Sequence, residues 1–133
     1  MKYMLDTNIC IYIIKKKPVH VFQIFNALKV GDVCISSITL AELQYGIYKS
    51  QFPERNKLAL ANFLAPIIIL PFTERATAFY GSIRADLEKK GQVIGSYDLL
   101  IAAHALSEDI TLVTNNTKEF SRISNLTLKN WAE

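Results

Sequence analysis

The chain has 133 residues, enough for a single domain that buries roughly two-thirds of its unfolded surface without disulfides or metals as staples. Half of the residues are hydrophobic and a fifth are charged, which excludes a disordered chain; the net charge of +3 is too small to bind nucleic acid by charge alone, so any polyanion must be held by a local arrangement. Cys10 and Cys34 lie inside apolar segments without zinc-site spacing and read as small buried hydrophobes of a reducing compartment.

The early Asp6, with Lys15 to Lys17 after the first apolar run rather than before it, argues against a secretory signal. No apolar stretch approaches the roughly 20 residues that span a bilayer, so a soluble cytoplasmic protein without membrane contact is expected.

Tyr3-Met4-Leu5 is an apolar extended stretch that runs into Asp6, and Thr7 and Asn8 are capping residues before the apolar run resumes at Ile9. This predicts a strand and then a helix, with a carboxylate at the junction; in open α/β sheets, ligands bind beyond the carboxyl ends of the strands. Residues 9–17 form a short helix, Pro18 stops it or starts the next, and Lys15-Lys16-Lys17, the densest basic run, reads as a solvated helix end. Val21, Phe22, Phe25 and Leu28 give residues 19–29 one buried helical face. After the Gly31-Asp32 turn, Val33-Cys34-Ile35 is a second strand, buried on both faces as a parallel strand would be.

A helix from residue 38 or 39 to 49 places Leu40, Leu43 and Ile47 on one stripe, with Tyr45 and Tyr48 beside it. Pro53 opens another helix to about residue 64, residues 67–70 are the third strand, and Pro71 ends it. From Thr73 an amphipathic helix turns Ala76, Phe79, Tyr80, Ile83 and Leu87 inward and closes on cations and Gly91. Gly95-Ser96 begins a helix that is apolar nearly all round over 99–106, hence buried against the sheet. Residues 110–113 are the fourth strand, a short helix surrounds Glu119-Phe120, and Leu126-Thr127-Leu128 is the last strand before Trp131. Strands separated by helices along the whole length predict one α/β domain over 1–133 with a mainly parallel sheet.

Four acids fall near strand ends in this layout: Asp6 after the first strand, Glu42 one turn into the helix after the second, Asp98 opening the buried helix before the fourth, and Glu119 just after the fourth. Each has a local explanation. Thr39-Leu40-Ala41-Glu42 satisfies the capping-box pattern, Asn116-Thr117-Lys118-Glu119 can do likewise, and Asp98 suits a first helical turn. Convergence is harder to explain locally, because clustered carboxylates repel unless a cation stands between them. Oxygen ligands without His or Cys point to Mg²⁺ or Mn²⁺, and the chemistry they support is phosphodiester hydrolysis. Of the two histidines, His20 and His104, the latter lies within the apolar helix and reads as structural.

Met4-Leu5-Asp6-Thr7-Asn8, Ala41-Glu42-Leu43-Gln44-Tyr45-Gly46, the run from Asp98 to Ala105 and the run from Leu112 to Phe120 resemble, in order and spacing, the successive motifs of PIN-domain ribonucleases, and more narrowly the VapC toxins of bacterial toxin–antitoxin pairs. The resemblance implies a three-layer PIN-like fold with a five-stranded parallel sheet of order 3-2-1-4-5. It also implies a Mg²⁺- or Mn²⁺-dependent endoribonuclease acting on tRNA or rRNA, homodimerisation, and inhibition by a VapB-type antitoxin. By position, Asp6, Glu42 and Asp98 match the family's three central acids and metal ligands; many members place an Asp where Asn115 or Asn116 stands here, so Glu119 is the nearest candidate for the fourth catalytic acid. Thr7, Thr114 and Asn116 would orient ligands or water. Lys15, Lys16, Lys17 and Arg84 are the candidate grip on RNA, since the carboxylates themselves repel phosphate.

Rival readings separate on single residues. A receiver-type domain needs paired acids after the first strand and a lysine after the last, and a haloacid-dehalogenase-type phosphatase needs an Asp where Asn8 stands. The alternative of a different class is a non-catalytic interaction module in which the acids are helix caps and exposed Tyr45, Tyr48 and Phe52 form the contact surface.

Overall fold

Alternation along a few short strands builds two cores, because successive side chains of a strand point to opposite faces of its sheet. In β1 (Tyr3–Leu5), Leu5 joins one core and Met4 the other; in β2 (Val33–Ser36), Val33 and Ile35 join the first and Cys34 the second. In β4 (Thr111–Val113), Val113 belongs to the first core and Leu112 to the second. Residues such as Leu5, Ile35 and Leu112 are wholly buried, each stabilising the fold by about 1.5–3 kcal/mol relative to exposure.

The computed structural model describes residues 1–133. Its five-stranded sheet has the order β3-β2-β1-β4-β5, with β3 at Ile68–Leu70 and β5 at Leu128–Lys129, and every pairing is parallel. On one face lie α1 (Thr7–Lys15), α2 (Val19–Asn26), α3 (Ser37–Tyr48) and α4 (Pro53–Leu64), and on the other α5 (Glu74–Lys89), α6 (Ser96–Glu108) and α7 (Thr117–Phe120). The expected three-layer architecture and strand order are therefore those observed. α6 buries Leu99, Ile101 to Ala105 and Ser107, as its all-round apolar sequence predicts. No helix is long and apolar enough to cross a membrane.

The differences from expectation lie at element ends. α1 begins at Thr7 rather than Ile9 because the Asp6 side chain accepts from the Ile9 amide and caps it. α3 begins at Ser37 because Ser36, not Thr39, is its cap, accepting from the Ile38 amide at 3.1 Å. α2 stops at Asn26, and a turn closed by the Lys29 amide on Asp32 and by Gly31 at φ +91° takes over. The last strand slips to Leu128–Lys129, where the Thr114 amide donates to Lys129.

Candidate active site

Register places the site. β1 pairs Tyr3 with Val33 on one side and with Thr111 on the other, so three residues further on Asp6 lies in the row of Ser36 and Thr114 at the carboxyl edge of the central strands. The Asp6 amide donates to the Val113 carbonyl at 3.0 Å, which holds the residue in line with the sheet as its side chain turns to cap α1. One carboxylate oxygen accepts from Ile9 at 2.9 Å. Asp6 is 4% exposed, and burial raises its pKa; hydrogen bonding by Thr114 and by the Ile9 and Asn8 amides pulls the other way, and Glu42 adds to the rise.

The other acids reach this point from separate elements. Glu42, on the second turn of α3, accepts from the Thr7 hydroxyl at 2.6 Å, a contact between the two helices that follow β1 and β2. This overturns the capping-box reading of Thr39 and Glu42: Thr39 is fully buried with its hydroxyl unpartnered, and Ser36 caps the helix. Asp98 stands in the first turn of α6, where Gly95 is the N-cap. Its pKa is pushed up to about 6, first by burial and then by Asp6, Glu42 and Glu119, and no hydrogen bond counters the rise. Glu119 lies in α7, whose N-cap Asn116 makes no side-chain capping bond, so the reciprocal cap expected there is not formed. Beneath the cluster the buried Cys10 thiol is pushed well up by desolvation and by the charges of Asp6 and Glu42. Four carboxylates from four segments thus share one field, and only Asp6 serves its own backbone.

Whether such a cluster suits a cation is a question of donor chemistry and spacing. The side chains offer carboxylate and hydroxyl oxygen, the donors that Mg²⁺ and Mn²⁺ take. No group of three or more His, Cys, Asp or Glu side chains is gathered tightly enough to hold an ion by itself. That excludes a closed protein cage and fits an ion held by one or two carboxylates, with water and a substrate phosphate completing its shell.

The remaining candidates divide. Thr7 and Thr114 touch the acids directly, and the Thr114 hydroxyl also accepts from the Asn116 amide at 2.9 Å, fixing the turn that leads to Glu119. Lys15 lines a groove between α1, α3 and α4 whose wall includes Glu42; Lys16 lies over the Phe22 ring, 5.4 Å from its centroid, and Lys17 is exposed. The Arg84 guanidinium is engaged on its own helix, donating to the Tyr80 hydroxyl at 2.8 Å and to Glu88 at 3.3 Å. Sequence reasoning missed Tyr12, whose hydroxyl accepts from the Asn115 side chain at 2.7 Å and ties α1 to the turn after β4. A tyrosine on an amphipathic helix gives no local signal for a partner so far along the chain. His104 is fully buried, as expected of a structural histidine, and burial holds its pKa below the ordinary value against the pull of Glu108.

The PIN-domain family matches residues 3–126. Ribonuclease VapC2 of Rickettsia felis is 52% identical, over 98% of each chain. The chain belongs to the PIN-domain family, in its VapC branch. Another VapC-type relative, the tRNA(fMet)-specific endonuclease VapC of Shigella flexneri, is 47% identical over 99% of each chain. The crystal structure of VapBC2 from Rickettsia felis bound to a DNA fragment from their promoter superposes with a TM-score of 0.92 at 50% identity, covering 98% of this chain and 99% of that one. DNA-bound VapBC from Salmonella typhimurium gives the same TM-score at 46% identity, over 98% of both chains.

Proposed function

We propose that this VapC-type PIN domain is an endoribonuclease toxin that hydrolyses phosphodiester bonds of RNA in the cytoplasm, with Mg²⁺ or Mn²⁺ as cofactor and a VapB-type antitoxin as inhibitor. The observation that carries the reading is the meeting of Asp6, Glu42, Asp98 and Glu119 from four separate segments; burial first, and then the charges of the other three, raise the pKa of Asp98 to about 6. The likeness to a tRNA(fMet)-specific endonuclease favours tRNA over rRNA as the target, and the likeness to VapBC complexes supports the antitoxin. A homodimer is part of the same proposal.

Of Asp6, Asp98 and Glu42, one or two would hold the ion directly and the rest through water; when bound, the ion supplies Lewis acidity toward the scissile phosphate and a nucleophile from water at neutral pH. Asp6 is held by the Ile9 amide and Glu42 by the Thr7 hydroxyl, so both carboxylates are oriented before substrate arrives. Asp98, with a pKa of about 6 in the metal-free protein, is charged at neutral pH and gains most from a cation that offsets its burial and its acidic neighbours. Glu119, whose charge acts on Asp98, would reach the ion through a water. Lys15, in the groove that reaches Glu42, with Lys16 and Lys17 would offset the field of the acids toward RNA, whereas Arg84 is already paired with Glu88 on its own helix.

The test is cleavage of tRNA by protein purified free of contaminating nuclease. Asp6→Asn keeps a capping side chain at the head of α1 while removing the charge, and it should abolish cleavage together with the rise in melting temperature that excess Mn²⁺ gives the wild type. Cutting at the wild-type rate would reject the mechanism. A wild type that neither cuts RNA nor responds to Mn²⁺ would favour the interaction module, for which exposed Tyr45, Tyr48 and Phe52 supply the surface.

A further inference from the structure

The two helices that carry Glu42 and Asp98 belong to opposite layers: Leu43 and Ile47 of α3 pack in the first core, Leu99 and Ile101 of α6 in the second. Of α3 only Ile38, next to the cap, packs against the second core, so the gap between these acids depends on the few contacts that cross the layers at this point. A buried hydrogen bond is one of them. His104 Nδ1 lies 2.7 Å from Ser36 Oγ, and Ser36 is at once the last residue of β2 and the N-cap of α3. Both residues are fully buried, and with Nε2 unpartnered, Ser36 is the only hydrogen-bond partner the imidazole has. Phe72 closes the other side, its ring edge-on to His104 at 5.4 Å and its amide donating to Ser37 at 3.0 Å.

We propose that His104 and Ser36 are positioning residues for the acidic pocket: their buried hydrogen bond fixes α6 against the head of α3 and so sets the separation of Asp98 and Glu42. Ser36 precedes Glu42 by six residues and His104 follows Asp98 by six, about 9 Å along each helix axis, so a small rotation at the tie is carried to both carboxylates. A neutral imidazole offers one donor and one acceptor nitrogen, which suits a hydroxyl that already accepts from the Ile38 amide. The proposal rests on the nuclease reading only in taking the acids as the parts being spaced.

The experiment is calorimetric titration of the wild type, His104→Phe, Ser36→Ala and the double variant with Mn²⁺, with Ile101→Val as a control that loosens the same helix without touching the tie. His104→Phe keeps a ring and removes both nitrogens. Each single variant should weaken Mn²⁺ binding about tenfold, the lower end of what losing an outer partner costs at metal sites, and the double variant should be no weaker than the poorer single. Wild-type affinity in a folded His104→Phe protein would overturn the proposal, and so would an equal loss in Ile101→Val. If the phenylalanine variant does not fold, His104→Asn takes its place under the same criteria. A wild type that binds no Mn²⁺ would count against the nuclease reading alone. The tie is then judged by crystal structures of wild type and variant, in which an unchanged separation of Glu42 and Asp98 overturns it.

Discussion

Asp6 and Asp98 carry the same group under different constraints. The Asp6 carboxylate accepts from the Ile9 amide, so it caps α1 as well as facing the pocket, whereas the rise in the Asp98 pKa is opposed by no hydrogen bond. Relief of repulsion alone predicts that removing either acid spares the fold. The cap adds a cost at one of them: Asp6→Ala should destabilise by about 0.5–2 kcal/mol, while Asp98→Asn should raise the melting temperature of the metal-free protein, as read by circular dichroism. The pH dependence has a definite sign. The folded pKa of Asp98, about 6, lies above its ordinary value of 3.8, so its proton is held more tightly in the folded state. The stability it supports is present below pH about 4 and is lost as pH rises to about 6. The gap in melting temperature between Asp98→Asn and wild type should therefore open over that interval and stay constant above it. Protons compete with a cation for the same oxygen, so Mn²⁺ affinity should weaken as pH falls through about 6.

At the scale of elements, a contact between helices takes the place of a cap within one. Thr39 and Glu42 have capping-box spacing, yet the helix starts a turn earlier on Ser36, and Glu42 is left free to meet Thr7 of α1. Spacing alone could not separate these outcomes, since serines at 36 and 37 and a threonine at 39 all suit an N-cap. Thr7→Val keeps the shape and removes the donor. It should cost about 1 kcal/mol of stability and reduce kcat for tRNA cleavage more than it raises KM; unchanged kcat would mean that Glu42 needs no such anchor. The turn after β4 follows the same pattern: expected to orient ligands or water through Thr114 and Asn116, it is also held to α1 through Asn115 and Tyr12.

Across the whole molecule, the net charge is small while the proposed ligand is a polyanion approaching four carboxylates. Binding must then depend on cations near the pocket, among which Lys15 lines the groove that reaches Glu42. Replacing Lys15, Lys16 and Lys17 with Gln should weaken RNA binding by an inactive Asp98→Asn background and flatten the dependence of log K on log salt by up to about 3 in slope. Filter binding at several salt concentrations reads both effects, and an unaltered slope would remove these lysines from the RNA path.

The parallel sheet, the buried α6 and the four acids at strand ends could be read from the amino-acid sequence, because period-2 and period-3.6 patterns and turn residues act over a few positions; the strand order came only with the family resemblance. Which hydroxyl caps α3, what holds Glu42, and the partners of Asn115 and His104 were decided only by tertiary structure. Each of these hydrogen bonds depends on the mutual placement of segments far apart in the chain, and one acceptor can satisfy several donors that local pattern treats as equal.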